Sequence, residues 1–467
     1  MTNPAAPVVA GAHDPDAGLD RAIGLGGATL LVIGSVIGSG IFLTTGIMAA
    51  QIPSATLLLA AWIGGGLLAM AGGLVYAEMG SMYPRSGGLY VFLSEAYGPV
   101  WGFLFGWAGL LVILSGSVAA VAVGFAEYFS YFVPSLGTDR ILLSVALPWG
   151  TWALSAGQVV AAGSIVFVTA VNYVGVRHGN ALQAVLTVAK VAGLLVVPLC
   201  AIAFWRVTPA WAPVVPHVAS PVAAFGVAMI AVMWTYEGWY YVAFASGEIK
   251  DAPRTVPRAL ILGTMALTFV YVVVNAAYLL ALDIGELRGV VRVAERAMTV
   301  LVGPVGAGFI AGTVVVSTLG CNAAGVIATS RVCFAMACDR RFFAAAARVH
   351  PRYHTPSVAL LLTSAWSVVL TLSGGYEALF TYVTFASVLF GVLGGVAVFV
   401  LRWRHPEHPR PYRAWGYPVV PALFVAGMAL LVGNTLLERP VESIAGLGLV
   451  ALGLPFYVYW SRAARKA

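Results

Sequence analysis

Apolar residues in this chain run in long unbroken blocks separated by short polar segments, without the strict alternation of a half-buried strand. Twelve such blocks stand out, near residues 24–50, 55–80, 97–130, 153–176, 180–205, 221–247, 256–282, 303–337, 356–373, 377–402, 417–435 and 443–461. A helix crossing a bilayer needs roughly 20 apolar residues. The blocks therefore predict an all-α integral membrane protein, a bundle of twelve transmembrane helices over residues 21–467. Residues 1–20 are polar, rich in Pro, Ala and Asp, and lack the basic start and cleavage site of a signal peptide. They are expected to form a disordered cytoplasmic tail.

Composition agrees with this class and changes the reading of charge. Hydrophobic residues make up 60% of the chain and charged residues only 9%, against about 25% charged in soluble domains. With the N-terminus placed in the cytoplasm, seventeen Lys and Arg residues fall in inner segments and six in outer ones. That asymmetry is the positive-inside signature and puts both termini on the cytoplasmic side of a plasma (inner) membrane. The net charge of +7 is then a topology signal within a lipid bilayer, and no nucleic-acid partner is needed to explain it. Cys200, Cys321, Cys333 and Cys338 all lie in or at the ends of the blocks and read as small buried hydrophobes.

The first block is interrupted at Gly38-Ser39-Gly40-Ile41-Phe42, with Gly34 a turn earlier. Glycines are poor helix formers, and irregular backbone at membrane depth is tolerated only where protein or a cavity surrounds it. The sixth block carries a matching interruption, Trp234-Thr235-Tyr236-Glu237-Gly238-Trp239. Interruptions at corresponding places in two halves point to a transporter site at the midplane. Repeat one would run over about 21–206 and repeat two over about 220–402, with peripheral helices over about 417–461. A half-helix starting near Ile41 presents the N–H groups of Ser39, Gly40 and Ile41, which suit a carboxylate. Carbonyls near Ile37 and at Tyr236 and Glu237 suit an ammonium. Together they describe an α-amino acid; the competing reading is that Gly38 and Gly40 merely let helices pack closely.

These residues resemble the amino acid-polyamine-organocation superfamily. Gly38 to Phe42 is similar to its first-span motif, and Glu78-Met79-Gly80-Ser81-Met82-Tyr83-Pro84-Arg85-Ser86-Gly87-Gly88-Leu89-Tyr90 to its second-span signature. Tyr236 to Trp239 followed by Gly247-Glu248-Ile249-Lys250 resembles the sixth span of the L-type amino acid transporter branch, and Ser317 to Arg331 the eighth span. The resemblance implies a five-plus-five inverted repeat, alternating access, and an aromatic gate at the position of Trp234, with Tyr240 beside it. It further implies that Lys190, the one lysine inside a block, stands in for a sodium ion between the first-span break and Ser317 or Thr318. L-type transporters of eukaryotes attach a glycoprotein subunit through a cysteine after the third span. The matching stretch, residues 134–151, has none, so no disulfide-linked subunit is expected.

An ionisable residue inside a span is a functional candidate. Lys190 could be a fixed cation or a proton carrier, the alternative being a lysine that snorkels to the interface. Glu237 could receive a cationic side chain, sense the α-amine, carry a proton, or be held structurally. Asn322, with Ser115, Gly116, Ser117 and Tyr241, could line the pocket; Arg331 could belong to an internal ion network or a cytoplasmic gate, and Glu78 and Arg85 could serve the same gate or form a solvated loop pair. The seven histidines fall in tails and loops and no catalytic or metal-ligand motif appears, so an enzyme, a cofactor and a metal are not expected. The expected function is a sodium-independent secondary transporter of L-amino acids, an exchanger or a proton symporter. A cationic amino acid or polyamine carrier of the same fold is the alternative, and a channel the alternative of another class.

Overall fold

The computed structural model describes residues 19, 21–52, 54–147, 150–209, 221–373 and 376–466. The expected N-terminal tail lies outside them, Leu19 aside. Among the described residues helices dominate, and ten are long and apolar enough to cross a membrane. The first, second and third spans are Leu25–Gln51, Ala55–Met82 and Pro99–Phe129; the fourth and fifth are Ala156–Tyr173 and Val176–Ala203. The seventh and eighth are Ala252–Ala281 and Pro304–Cys338, and the tenth and eleventh Tyr376–Arg404 and Val419–Glu438. The twelfth block folds as Pro440–Ala451 and Gly453–Lys466. The sixth and ninth blocks hold shorter apolar helices, Val222–Tyr236 and Ser357–Ser373.

The first and sixth spans unwind in mid-membrane. The first divides into Leu25–Val36 and Gly40–Gln51, and the sixth into Pro221–Tyr236, a short helix Tyr241–Phe244 and a tight turn Ser246–Glu248. A π-turn over Gly109–Ile113 interrupts the third span just before Ser115.

The connections hold structure that the apolar blocks did not announce. Strands Ile141–Leu147 and Gly150–Ser155 form an antiparallel hairpin between the third and fourth spans. Helices Ile284–Leu287 and Val293–Val302 cap the same end of the bundle before the eighth span. This end is called distal, and the end where the first span starts proximal.

At the proximal end, Ile23 pairs with Ile249 as a one-residue parallel bridge. The Ile23 amide donates to the Glu248 carbonyl (3.0 Å) and the Lys250 amide to the Ile23 carbonyl (2.8 Å). Beside this bridge Arg331 Nε donates to Glu248 Oε1 at 2.8 Å, both side chains buried. Glu78 instead takes two hydrogen bonds from Arg402, at 2.9 and 2.7 Å, and one from the Ala414 amide at 2.7 Å. Arg85, beyond the end of the second span, pairs with Glu95, both side chains half-buried. The three residues expected in one gate thus sit in three places, because Glu78 lies a turn inside its helix and faces the tenth span.

Candidate functional site

The geometry at the first break follows from its glycines. The helix ends at Val36, whose carbonyl takes the Gly38 amide at 2.8 Å, and it restarts at Gly40 with no side-chain cap from Ser39. The first amides of the new half-helix, Gly40 and Ile41, have no acceptor within it. In the sixth span the Glu237 amide closes a turn onto the Trp234 carbonyl at 3.0 Å. Gly238 follows with φ +102°, a region L side chains rarely adopt.

The two breaks touch. Ser35 Oγ donates to the Gly238 carbonyl at 2.9 Å, and a Cβ on Gly238 would fall 2.9 Å from the Ser35 carbonyl oxygen. A Cβ on Gly40 would come within 3.0 Å of Thr235 Cα. Helix packing therefore holds Gly40 to a residue without a Cβ, whatever else its amide does.

Lys190 reaches this junction from the fifth span, fully buried. Its ammonium donates to the carbonyls of Gly34 at 2.6 Å and Ile37 at 2.5 Å and lies 3.4 Å from that of Ser317. Ser317 Oγ sits 3.0 Å from both the Ile37 and Gly38 carbonyls. Thr318 does not join them. Its hydroxyl returns to Val314 and Val315 of its own helix at 2.8 and 3.0 Å, the usual habit of a mid-helix threonine. One consequence alters the expected site: the Ile37 carbonyl, read from sequence as an acceptor for a substrate amine, already holds Lys190 and Ser317.

Further contacts close the junction. Cys321 Sγ donates to the Ser35 carbonyl at 3.0 Å. Tyr271 Oη lies 3.1 Å from the Val36 carbonyl and 3.2 Å from that of Thr235, so one hydroxyl bridges both interrupted helices. Asn275 Oδ1 accepts from Thr45 at 2.7 Å and Tyr278 Oη donates to the Ile41 carbonyl at 3.3 Å. Sequence reasoning missed these residues, although Tyr271, Asn275 and Tyr278 recur at i, i+4 and i+7, a one-faced polar stripe on an apolar helix.

Other candidates lie elsewhere. Tyr236 turns its ring onto Trp62 and Tyr271. Its hydroxyl donates to the Trp62 carbonyl at 3.3 Å, facing the second span. Glu237 accepts from Tyr240 Oη at 2.6 Å and lines a cavity of about 20 Å³ with Ser387 and Gly391 of the tenth span and Phe424 of the eleventh. Tyr240 stacks edgewise among Trp239, Tyr241 and Phe244. The sixth-span turn thus sends Glu237 and Tyr240 behind the helix, away from the first-span break. Trp234 is buried in the last turn before that break, next to the Thr235 that packs on Gly40. Asn322 is 1% exposed, and neither amide atom has a partner among the described residues; Ser115 Oγ is likewise unpaired. Interiors seldom leave such atoms without a reason.

A helical membrane bundle whose first and sixth spans break side by side, at a backbone junction held by a buried ammonium, is built as a transporter. The chain belongs to the amino acid permease family, whose model matches residues 23–449. It is 32% identical to the serine/threonine exchanger SteT of Bacillus subtilis over 97% of this chain and 100% of that protein. Similarity extends to mouse Asc-type amino acid transporter 1, 28% identical over 95% of this chain and 82% of the relative. The mouse large neutral amino acids transporter small subunit 2 is 29% identical over the same shares.

Proposed function

We propose that this protein exchanges small neutral L-amino acids across the plasma membrane by alternating access, without sodium. The observation that carries the reading is the junction itself. Helix-start amides at Gly40 and Ile41 offer donors for a carboxylate, while Lys190 fills the place beside Ile37 and Ser317 where a metal cation would otherwise neutralise the carbonyls. The substrate amine then uses carbonyls of the sixth-span turn, since Ile37 is taken. Asn322 and Ser115, both without partners among the described residues, favour a substrate with a short hydroxyl-bearing or small side chain, in keeping with the name of the serine/threonine exchanger rather than that of the large neutral amino acids transporter. Glu237 bonds Tyr240 behind the sixth span, which favours a neutral substrate over a cationic one. The proximal face, rich in Lys and Arg, is cytoplasmic, and the repeats of about 21–206 and 220–402 move against each other. Without a cysteine in residues 134–151, the chain works with no disulfide-linked subunit.

The test is uptake of labelled serine, threonine, alanine, leucine, lysine and glutamate into proteoliposomes, with and without internal amino acid, sodium and a pH gradient. Uptake of the small neutral substrates that requires internal amino acid and ignores both ions is expected. Sodium dependence would remove the role given to Lys190, and uptake driven by a pH gradient into empty vesicles would replace exchange with proton symport.

A further inference from the structure

Beneath the hairpin at the distal end lies a cavity of about 360 Å³, within the size range of small-ligand pockets. Its walls are apolar at Leu43, Val123, Ile141 and Val291, and Glu127 is the only ionisable side chain among the lining residues. Thr138 Oγ1 donates to Glu127 Oε2 at 2.7 Å and fixes the carboxylate. The nearby cation Arg292 is engaged by Glu295 at 3.0 Å. The roof is pinned in three places. The Ala156 amide donates to the Arg140 carbonyl at 2.8 Å, the Gly157 amide to Gly137 at 3.0 Å, and Trp152 Nε1 to the Leu372 carbonyl at 3.0 Å.

The floor is thin. Gly124 lines the chamber, and a Cβ placed on it would come within 2.9 Å of Ser39 Oγ. One glycine's width therefore separates the chamber from the first-span break. A single fixed carboxylate in walls that are otherwise apolar save for Thr138, Ser155 and Gln158 is complementary to a primary ammonium carried on a small organic body, and it repels a second carboxylate.

We infer that this chamber is an outer binding site for amino acids, where Glu127 holds the ammonium group and Leu43, Val123 and Ile141 hold the side chain before the molecule passes to the break. The inference rests on the transport reading for the identity of the ligand and for which face is outside. Glu127→Gln keeps the shape and an acceptor for Thr138, so it reads charge. From the distal face, kcat/KM for threonine is expected to fall about tenfold with kcat held, the effect of one nearby charge in a partly aqueous setting. KM from the proximal face stays as it was, relative uptake of aspartate rises, and Glu127→Asp restores the wild-type pattern. Val123→Trp, which fills the chamber and leaves the charge, raises the distal KM as well. Distal kcat/KM within twofold of wild type in Glu127→Gln, or equal changes at both faces, overturns the inference. A wild-type protein that moves no amino acid defeats the transport reading instead. The chamber is then read by equilibrium binding of labelled threonine, where equal affinity in wild type and Glu127→Gln overturns it.

Discussion

Lys190 is buried where an unpaired ammonium costs a few kcal/mol, and it is retained because two carbonyls freed by the first-span break have no helical partner. Charge-assisted bonds of this kind contribute about 1.5–3 kcal/mol each. Lys190→Met removes the ammonium and leaves the Gly34 and Ile37 carbonyls without it, which is expected to destabilise the protein by about 3 kcal/mol. The melting temperature in detergent should fall, and exchange should drop at least tenfold. Normal exchange in this variant would make the lysine incidental. Gly238 gives a second residue-level expectation. With φ +102° and the Ser35 carbonyl oxygen only 2.9 Å from where its Cβ would stand, Gly238→Ala costs about 1–3 kcal/mol of backbone strain and separates the two breaks. Reduced folded yield measured by size-exclusion chromatography is the check. The lysine was legible in the sequence because a charge in an apolar block has so few explanations. The occupants of the Ile37 carbonyl were not, since which lone pair a distant side chain takes depends on tertiary packing.

The seventh span acts as the clamp between the discontinuous elements. Its Tyr271 hydroxyl bridges Val36 and Thr235, so Tyr271→Phe keeps the ring against Trp62 and Tyr236 and deletes only the bridge. Losing one such buried bond costs about 1–3 kcal/mol. The expected result is a several-fold lower exchange rate with substrate KM little changed, measured as counterflow at saturating substrate. An unchanged rate would mean that the two broken helices move independently of this hydroxyl. Element boundaries were legible to within a few residues wherever the apolar blocks were long. Residues 284–302 were missed because short amphipathic helices between spans carry no block signal. The hairpin was missed for another reason: Ile141-Leu142-Leu143-Ser144-Val145-Ala146-Leu147 is apolar on both faces, so it lacks the alternation that marks a strand. The interruption of the sixth block around Gly238 was legible, but the direction in which the turn aims Glu237 depends on a φ that sequence states only as permission.

At the scale of the whole molecule, the proximal face is shut by a small set of contacts that join the start of the first span, the end of the sixth and the eighth. Ile23 bonds the backbone on both sides of Ile249, and Arg331 is held by Glu248 with both side chains nearly solvent-free. An ion pair so buried adds little net stability, but deleting one partner strands the other charge at a cost of about 3–5 kcal/mol. That cost falls on the closed arrangement alone if opening hydrates Arg331. Glu248→Gln should then shift the closed-to-open ratio by about two to four orders of magnitude, since 1.36 kcal/mol is tenfold. Cys333, two residues from Arg331 and buried, is a native reporter of the opening. With Cys200, Cys321 and Cys338 changed to serine, maleimide applied to the proximal face should label it far faster in Glu248→Gln than in the parent. Equal labelling would make the pair a static brace. Labelling that rises while exchange falls would identify it as the contact that must re-form on each cycle, because a carrier held open to one side cannot turn over.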